Sequence, residues 1–478
     1  MATSFQFDQT VGFSPENTDE ILRSVPALPG VFALYGQQSN AEPYLTRAAD
    51  LRRRMKRLLA PPESQSKRLN LRDRVARIEY TVTGSEFEST LTLYHAAASI
   101  FGYAEARRRL RLHTPAFLRF VQENEFPRVY VTNKLSKRGL AQMYGPFPSR
   151  AAAERYCDAV LDLFKLRRCH EDLAPYPEHP GCVYGEMKKC IEPCKQACTP
   201  EEYAAEAEAV RTFFETRGES MLARIASERE KASEEMEFER AAELHEQHQR
   251  VKAAASLADE IVRPVPQLRA VIVQRAALGL EALEVSADRN HREDEAALFL
   301  LHAGCIVGPE RMSTLGVRAV KEQTSVGSSL FAQPLMLAAV PLAPERSDSQ
   351  ETPEESAKTE TAISPEDRAR EIVGRLEQRA GEPRDLALVS DHLSLFRRWY
   401  YRPEKQRAGE AFLPNPDGSW PVRRILRGAA RQVLGEPTAL PDVQREAAKK
   451  IAKEAKTRVL HKGRPDVERV VPVVGKDE

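Results

Sequence analysis

Apolar and polar positions along the chain change period several times, and each change marks an element. After the turn signal Pro29-Gly30, Val31 to Tyr35 reads as a short strand, and Tyr44-Leu45 begins a second. From Ala48 to Leu59 the apolar residues Leu51, Met55, Leu58 and Leu59 recur at helical spacing, which predicts an amphipathic helix. Ala76 to Val82 alternates imperfectly as a third strand. Ser85, Glu86 and Glu88 then open a capped helix that runs through Leu91 and Leu93. Together these elements predict a small α/β unit over residues 20–98. A second unit reads as a strand from Pro127 to Thr132, a strand end and turn from Met143 to Ser149, and a helix from Ala151 to Phe164. That helix carries an apolar face of Ala152, Tyr156, Val160, Leu163 and Phe164.

Thr199-Pro200-Glu201-Glu202 is a strong helix start, because Thr199 caps, Pro200 fits the first turn and Glu202 closes the capping box. Only Gly218 interrupts the following stretch, so residues 201–260 predict two long helices folded into a hairpin. Strand-like runs return at Leu268–Val273, Leu280–Val285 and Ala296–Leu301, within a divergent α/β region over 265–342. Residues 343–363 form an acidic linker without core residues. Ser364-Pro365 restarts helix, and 441–457 looks helical, so residues 364–478 read as a mostly helical region of unassigned role. The fold class is α/β and multidomain.

Length and composition narrow this picture. A chain of 478 residues holds two to four domains. Lys plus Arg total 71 and Asp plus Glu 70, a net charge of +1, which excludes a globally basic nucleic-acid coat but leaves local patches open. No run of about 18 apolar residues is present, so no membrane-spanning helix is expected. The polar start has neither the basic nor the apolar region of a signal peptide, and a cytoplasmic location without membrane contact is the expectation.

The strongest chemical signal is the cysteine distribution. Six of the 7 cysteines lie between Cys157 and Cys198. Cys169, Cys182, Cys190 and Cys194 supply the four thiolates that a tetrahedral Zn2+ or a [4Fe-4S] cluster requires. Cys198 is a possible exchange for Cys194. Lys188 and Lys189 stand beside the cysteines and are expected to offset thiolate charge. A second signal is the basic helix with Arg47, Arg52, Arg53, Arg54, Lys56 and Arg57, followed by Lys67 and Arg68. It reads as a phosphate-contacting face or as a solvated one. Arg107, Arg108, Arg109 and Arg111 carry the same two readings. Phe396, Trp399 and Tyr400, interleaved with arginines, read as core packing in preference to base stacking, and Trp420 with Arg423 and Arg424 leaves both open. His392 reads as a satisfied or surface histidine. The P-loop, GxSxG and HExxH patterns are absent.

The order of these signals resembles the UvrC/Cho excinuclease family. The resemblance rests on a GIY-YIG-like N-terminal pattern, the blocks FPRVYVTN and YGPFPS, and the segment from Cys169 to Cys194. It also rests on the helical stretch with Met236 and Phe238-Glu239-Arg240-Ala241-Ala242, and together the pieces span roughly residues 20–260. It implies a GIY-YIG-like nuclease domain (20–98), a four-cysteine segment (120–200) that holds a [4Fe-4S] cluster, and a UVR-like hairpin (201–260). The hairpin's Met236, Phe238, Ala241 and Ala242 would meet a UvrB-like helicase subunit, and double-stranded DNA would be the substrate. In GIY-YIG nucleases a tyrosine, an arginine and a metal-binding glutamate act on the scissile phosphate. The tyrosine and arginine match Tyr44 and Arg54. The other motif tyrosine is Phe32, the usual glycine is Thr46 and the usual lysine is Arg47. The glutamate falls on Leu93, which cannot ligate Mg2+. Glu86 lies on a similar face of the same helix but about 10 Å away along its axis. The resemblance therefore implies an impaired nuclease site, with Mg2+ needed only if Glu86, Glu88 or another carboxylate rebuilds it. The family's second nuclease domain and helix-hairpin-helix elements are not recognisable in residues 364–478.

Overall fold

The computed structural model describes residues 5–38, 41–61, 69–171, 173–277, 295–314, 317, 364–381, 385–403, 406–434, 458–460 and 468–470. Lys67, Arg68, the strand expected at Leu280–Val285, the linker 343–363 and the helix expected at 441–457 fall outside these residues. The chain divides into two compact units, Met1–Leu434 and Gly435–Glu478. In the second, the strands Arg458–Leu460 and Glu468–Val470 pair antiparallel.

Three four-stranded antiparallel sheets organise the first unit. The first contains β1 (Gln9–Gly12), β2 (Gly30–Gly36), β3 (Tyr44–Ala48) and β4 (Val75–Val82), in the order β1-β4-β2-β3. β3 is an edge strand. Helices α1 (Thr18–Ser24) and α2 (Leu51–Leu59) cover one face, where Phe32, Leu34, Leu51, Met55 and Ile78 form a closed core. Gly30 is required by close approach: a Cβ there would stand 2.4 Å from the Thr81 carbonyl oxygen and 2.7 Å from Leu51. α2 starts at Leu51, three residues after the expected Ala48, because Ala48 closes β3 and Asp50 accepts the Arg53 amide at 2.8 Å.

Helix α3 (Glu86–Phe101) follows, capped by Ser85, whose Oγ accepts the Glu88 amide at 3.1 Å. A short helix, α4 (Tyr103–Arg109), leads to the second sheet. That sheet has β5 (Ala116–Val121), β6 (Arg128–Thr132), β7 (Met143–Phe147) and β8 (Arg263–Pro264), ordered β6-β5-β7-β8. Helix α5 (Arg150–Leu161) packs Tyr156 and Val160 onto it. The short α6 (Val183–Glu186) lies within the cysteine segment.

The expected pair of long helices is three: α7 (Pro200–Thr216), α8 (Glu219–Glu234) and α9 (Phe238–Ala255). The break comes at Arg217 and Gly218, both left-handed with φ of 55° and 81°. The capping box at Thr199 and Glu202 is present. α7 buries Tyr203, Val210, Phe213 and Phe214 in the same core as Tyr156 and Val160.

The third sheet contains β9 (Arg269–Arg275), β10 (Glu295–His302), β11 (Cys305–Ser313) and β12 (Glu410–Phe412), ordered β11-β10-β9-β12. β9 and β10 match two of the strand expectations, and β11 was not anticipated. Alternation sends Val271, Val273, Leu298 and Leu300 to one face, beneath α10 (Pro365–Arg379) and α12 (Val422–Leu434). Ala270, Ile272, Phe299 and Leu301 face the other way, onto α3 and α11 (Leu386–Tyr400). α11 is the buried strut of this core, with Phe396 fully buried and Trp399 donating to the Ala408 carbonyl at 2.8 Å. Its aromatics therefore pack and do not present a base-stacking surface. Among the described residues no helix is long and apolar enough to cross a membrane.

Candidate functional site

At the edge of the first sheet, β3 carries Tyr44 and α2 carries Arg54, and the fold joins them: the guanidinium donates to the phenolic oxygen at 2.9 Å. The register sets Tyr44 opposite Leu34 and Thr46 opposite Phe32, so all four share the α2 face. Phe32 is fully buried in the core beneath α2. Arg47 points the other way, towards α3. It donates to the Thr90 hydroxyl at 3.0 Å and pairs with Glu86 at 3.0 Å. Arg402, from the segment after α11, grips the same carboxylate with two bonds of 2.6 and 3.1 Å. Glu86, Thr90 and Leu93 follow one another on one face of α3. Hydrogen bonds from Arg402, then Arg47, hold the Glu86 carboxyl well below its usual range, at about 2. Glu88 is different. It is buried, accepts the Gly84 amide at 2.7 Å, and burial pushes its carboxyl up to about 7.

The second candidate is the loop between α5 and α7. Cys190 and Cys194 are buried there, and Cys169 and Cys182 are partly so. Burial pushes the Cys190 thiol up to about 12, and the Cys182, Cys169 and Cys194 thiols each add to that rise, so the four share one neighbourhood. Burial, then the charges of nearby Glu202 and Cys194, raise the Cys198 thiol. The backbone is tightly wound, with Lys188, Glu192 and Gln196 all left-handed at φ of 51° to 56°. The Glu192 amide donates to Cys190 Sγ at 3.4 Å. As the side chains stand, no group of three or more His, Cys, Asp or Glu among the described residues is placed to hold a metal ion.

Lys189 is held by Asp162 at 2.9 Å, together with Arg168 at 2.7 Å. Arg167, unremarked in the sequence, is buried. It approaches Cys169 Sγ at 3.7 Å and donates to the carbonyls of Phe126 at 3.0 Å and Glu171 at 2.8 Å. Its adjacency to Cys169 was the only signal available.

At the tip between α8 and α9, Met236 is left-handed and 75% exposed, and Phe238 is 70% exposed. Ala242 and His245 continue an exposed stripe from Phe238 along α9, whereas Ala241 turns inward against the core. Three of the four residues expected to meet a partner thus face outward.

Several basic residues are committed internally. Arg107 pairs with the buried Asp391 at 2.7 Å, and Asp391 also accepts the Tyr94 hydroxyl at 2.9 Å. Arg108 and Arg109 pair with Glu105, and Arg398 donates to the Leu110 and Arg111 carbonyls. His392 is a buried core residue, not a surface one: its Nδ1 accepts the Ile306 amide at 2.9 Å, its Nε2 has no hydrogen-bond partner, and burial lowers its imidazole to about 3. Trp420 donates to Glu377 at 2.9 Å and lies under Arg269.

Residues 116–213 match the family described as "UvrC/Cho excinuclease, middle domain". The stretch runs from β5 into α7 as far as Phe213 and includes all four cysteines. The chain is related to UvrABC system protein C. It is 29% identical over 232 residues to that of Carboxydothermus hydrogenoformans, covering 48% of this chain and 37% of the relative. With the Aliivibrio salmonicida protein it shares 26% identity over 250 residues, 52% of this chain and 40% of the relative. With that of Symbiobacterium thermophilum it shares 29% over 231 residues, 48% and 36%. The likeness thus spans about half of this chain and well under half of each relative. No solved structure matches the chain.

Proposed function

We propose that this protein acts in DNA repair as a cytoplasmic relative of the incision subunit of nucleotide excision repair, with an impaired GIY-YIG-like site and a role in positioning DNA and a partner. The observation that carries the reading is the α3 face. Leu93 occupies the expected metal-ligand position, and Glu86, the carboxylate on that face, has both oxygens committed to Arg47 and Arg402. Glu88 is buried and hydrogen-bonded to the Gly84 amide, so it does not replace the missing ligand for a hard dication. Tyr44 and Arg54 remain joined, which suits a phosphate contact without hydrolysis.

In this reading Cys169, Cys182, Cys190 and Cys194 hold a [4Fe-4S] cluster, with Zn2+ as the second candidate. The soft donor set, the amide bond to Cys190 Sγ and the buried Arg167 guanidinium support it. Such a group would cross-link the loop and brace the second sheet's core. The outward Met236, Phe238 and Ala242 would meet a UvrB-like helicase subunit, because an exposed apolar stripe gains from a helical partner.

The test is an incision assay on a lesion-bearing duplex with Mg2+ and the partner helicase. The expected result is no incised product, together with duplex affinity that falls steeply with salt. Incision that disappears in Glu86→Ala or Glu88→Ala would establish a rebuilt metal site instead. Absence of any salt-dependent duplex binding would leave a purely structural or interaction role.

A further inference from the structure

Glu86, Glu105, Glu310 and Glu366 each pair with two arginines. Glu105 pairs with Arg108 and Arg109, its neighbours on the same short helix. Glu310 takes both of its arginines from α10, Glu366 takes Arg370 from its own helix and Arg423 from α12, and along α7 a single arginine, Arg211, is shared by Glu208 and Glu215. Glu86 instead gathers one arginine from the edge strand β3 and another 316 residues further along the chain. Folding alone brings these three together. The side chains stay open to solvent, at 41% for Arg47, 47% for Glu86 and 36% for Arg402. Two guanidinium groups face one carboxylate, so the cluster keeps one excess positive charge. Arg47 is oriented from two sides, by Glu86 and by the Thr90 hydroxyl at 3.0 Å. Arg402 presents its two-pronged face to the carboxylate. The line of α3 continues to Leu93, which adds no negative charge.

We propose that Arg47 and Arg402 form a metal-free seat for a backbone phosphate of duplex DNA, with the Glu86 carboxylate occupying the seat until DNA displaces it. A phosphodiester offers two unshared oxygens in the geometry that a guanidinium fork accepts, as a carboxylate does. Glu86 stays ionised across the physiological range because Arg402 and Arg47 hold it so, and it keeps both arginines oriented in the free protein. On binding, the phosphate takes the place of the carboxylate and the carboxylate returns to water. The seat lies beside the edge strand that also bears Tyr44, so a strand of DNA could pass from one contact to the other around that edge. This inference rests on the reading that the chain binds duplex DNA.

The experiment is fluorescence anisotropy of a labelled duplex with the full-length chain, in EDTA, across a salt series. Arg402→Ala is expected to weaken binding about tenfold and to lower the slope of log affinity against log salt by about 0.9, the signature of one lost phosphate contact. Glu86→Gln is expected to strengthen binding severalfold, since the competing anion is removed while its shape is kept. Arg211→Ala, which loses an arginine held by local carboxylates, should leave affinity within twofold. Thermal unfolding of each variant confirms that it is folded. Unchanged affinity and slope in Arg402→Ala, or weaker binding in Glu86→Gln, would overturn the seat while the duplex-binding reading stands. No duplex binding by the unaltered chain would remove both.

Discussion

The edge of the first sheet and the cysteine loop are opposite cases of one problem. At the edge the scaffold persists: the strand register, the Asp50 and Ser85 caps and the Tyr44–Arg54 bond are in place. In the proposed reading the position for the metal carboxylate holds Leu93, and the neighbouring Glu86 serves two arginines. In the loop the donor set is complete, with four cysteines in one neighbourhood, while the backbone that carries them has little regular structure beyond the single turn of α6. A scaffold is stabilised by many distributed contacts and survives the loss of one ligand. A four-thiolate site depends on each ligand, because metal binding there is part of the folding free energy.

The largest expected effect lies in the loop. Cys190→Ser should abolish bound iron and sulphide, or zinc, and destabilise the surrounding core by several kcal/mol, out of a total metal contribution of order 10 kcal/mol. Elemental analysis of anaerobically purified protein with thermal unfolding checks this. An unaltered protein without metal would end the contrast, since both sites would then lack their ion.

A smaller effect separates scaffold from ligand at α3. Asp391 is buried and joins α3, α4 and α11 by accepting from Tyr94 and Arg107. Asp391→Ala should cost about 1–3 kcal/mol, because it leaves the buried Tyr94 hydroxyl without its partner, while Arg107 keeps the Ala387 carbonyl at 3.0 Å and access to water. Urea unfolding measures it. A loss below about 1 kcal/mol would mean that α3 is held by apolar packing alone.

The smallest effect is a pH dependence. Glu88 titrates at about 7 in the folded protein against an ordinary value of 4.5, chiefly because of burial. Between those values the folded protein retains a proton that the unfolded chain releases, so stability falls as pH rises through that window. Glu88→Gln keeps an oxygen for the Gly84 amide and should flatten the decline, raising stability at pH 8 by about 1–2 kcal/mol. Unfolding midpoints from pH 5 to pH 8 test this, and a variant with the same slope as the parent would assign the titration elsewhere.

Local instructions were legible in the amino-acid order. The caps at Ser85, Thr199 and Ser364, the helix periods of α2 and α5, and the strands β2, β4 and β9 depend on neighbours a few residues away. The cysteine spacing was legible in the same way. The break at Arg217-Gly218 was visible only as a lone glycine, and its strength came from a left-handed pair that spacing does not reveal. Only the tertiary structure decided which charges were free. Arg107 is bound to Asp391 from 284 residues away, Lys189 is taken by Asp162, Arg167 stands beside Cys169, and Glu86 is claimed by Arg402. A charged side chain reads the same in sequence whether it faces solvent, a partner or a core. Its role is set by the electrostatic neighbours that sheet order and helix packing bring to it.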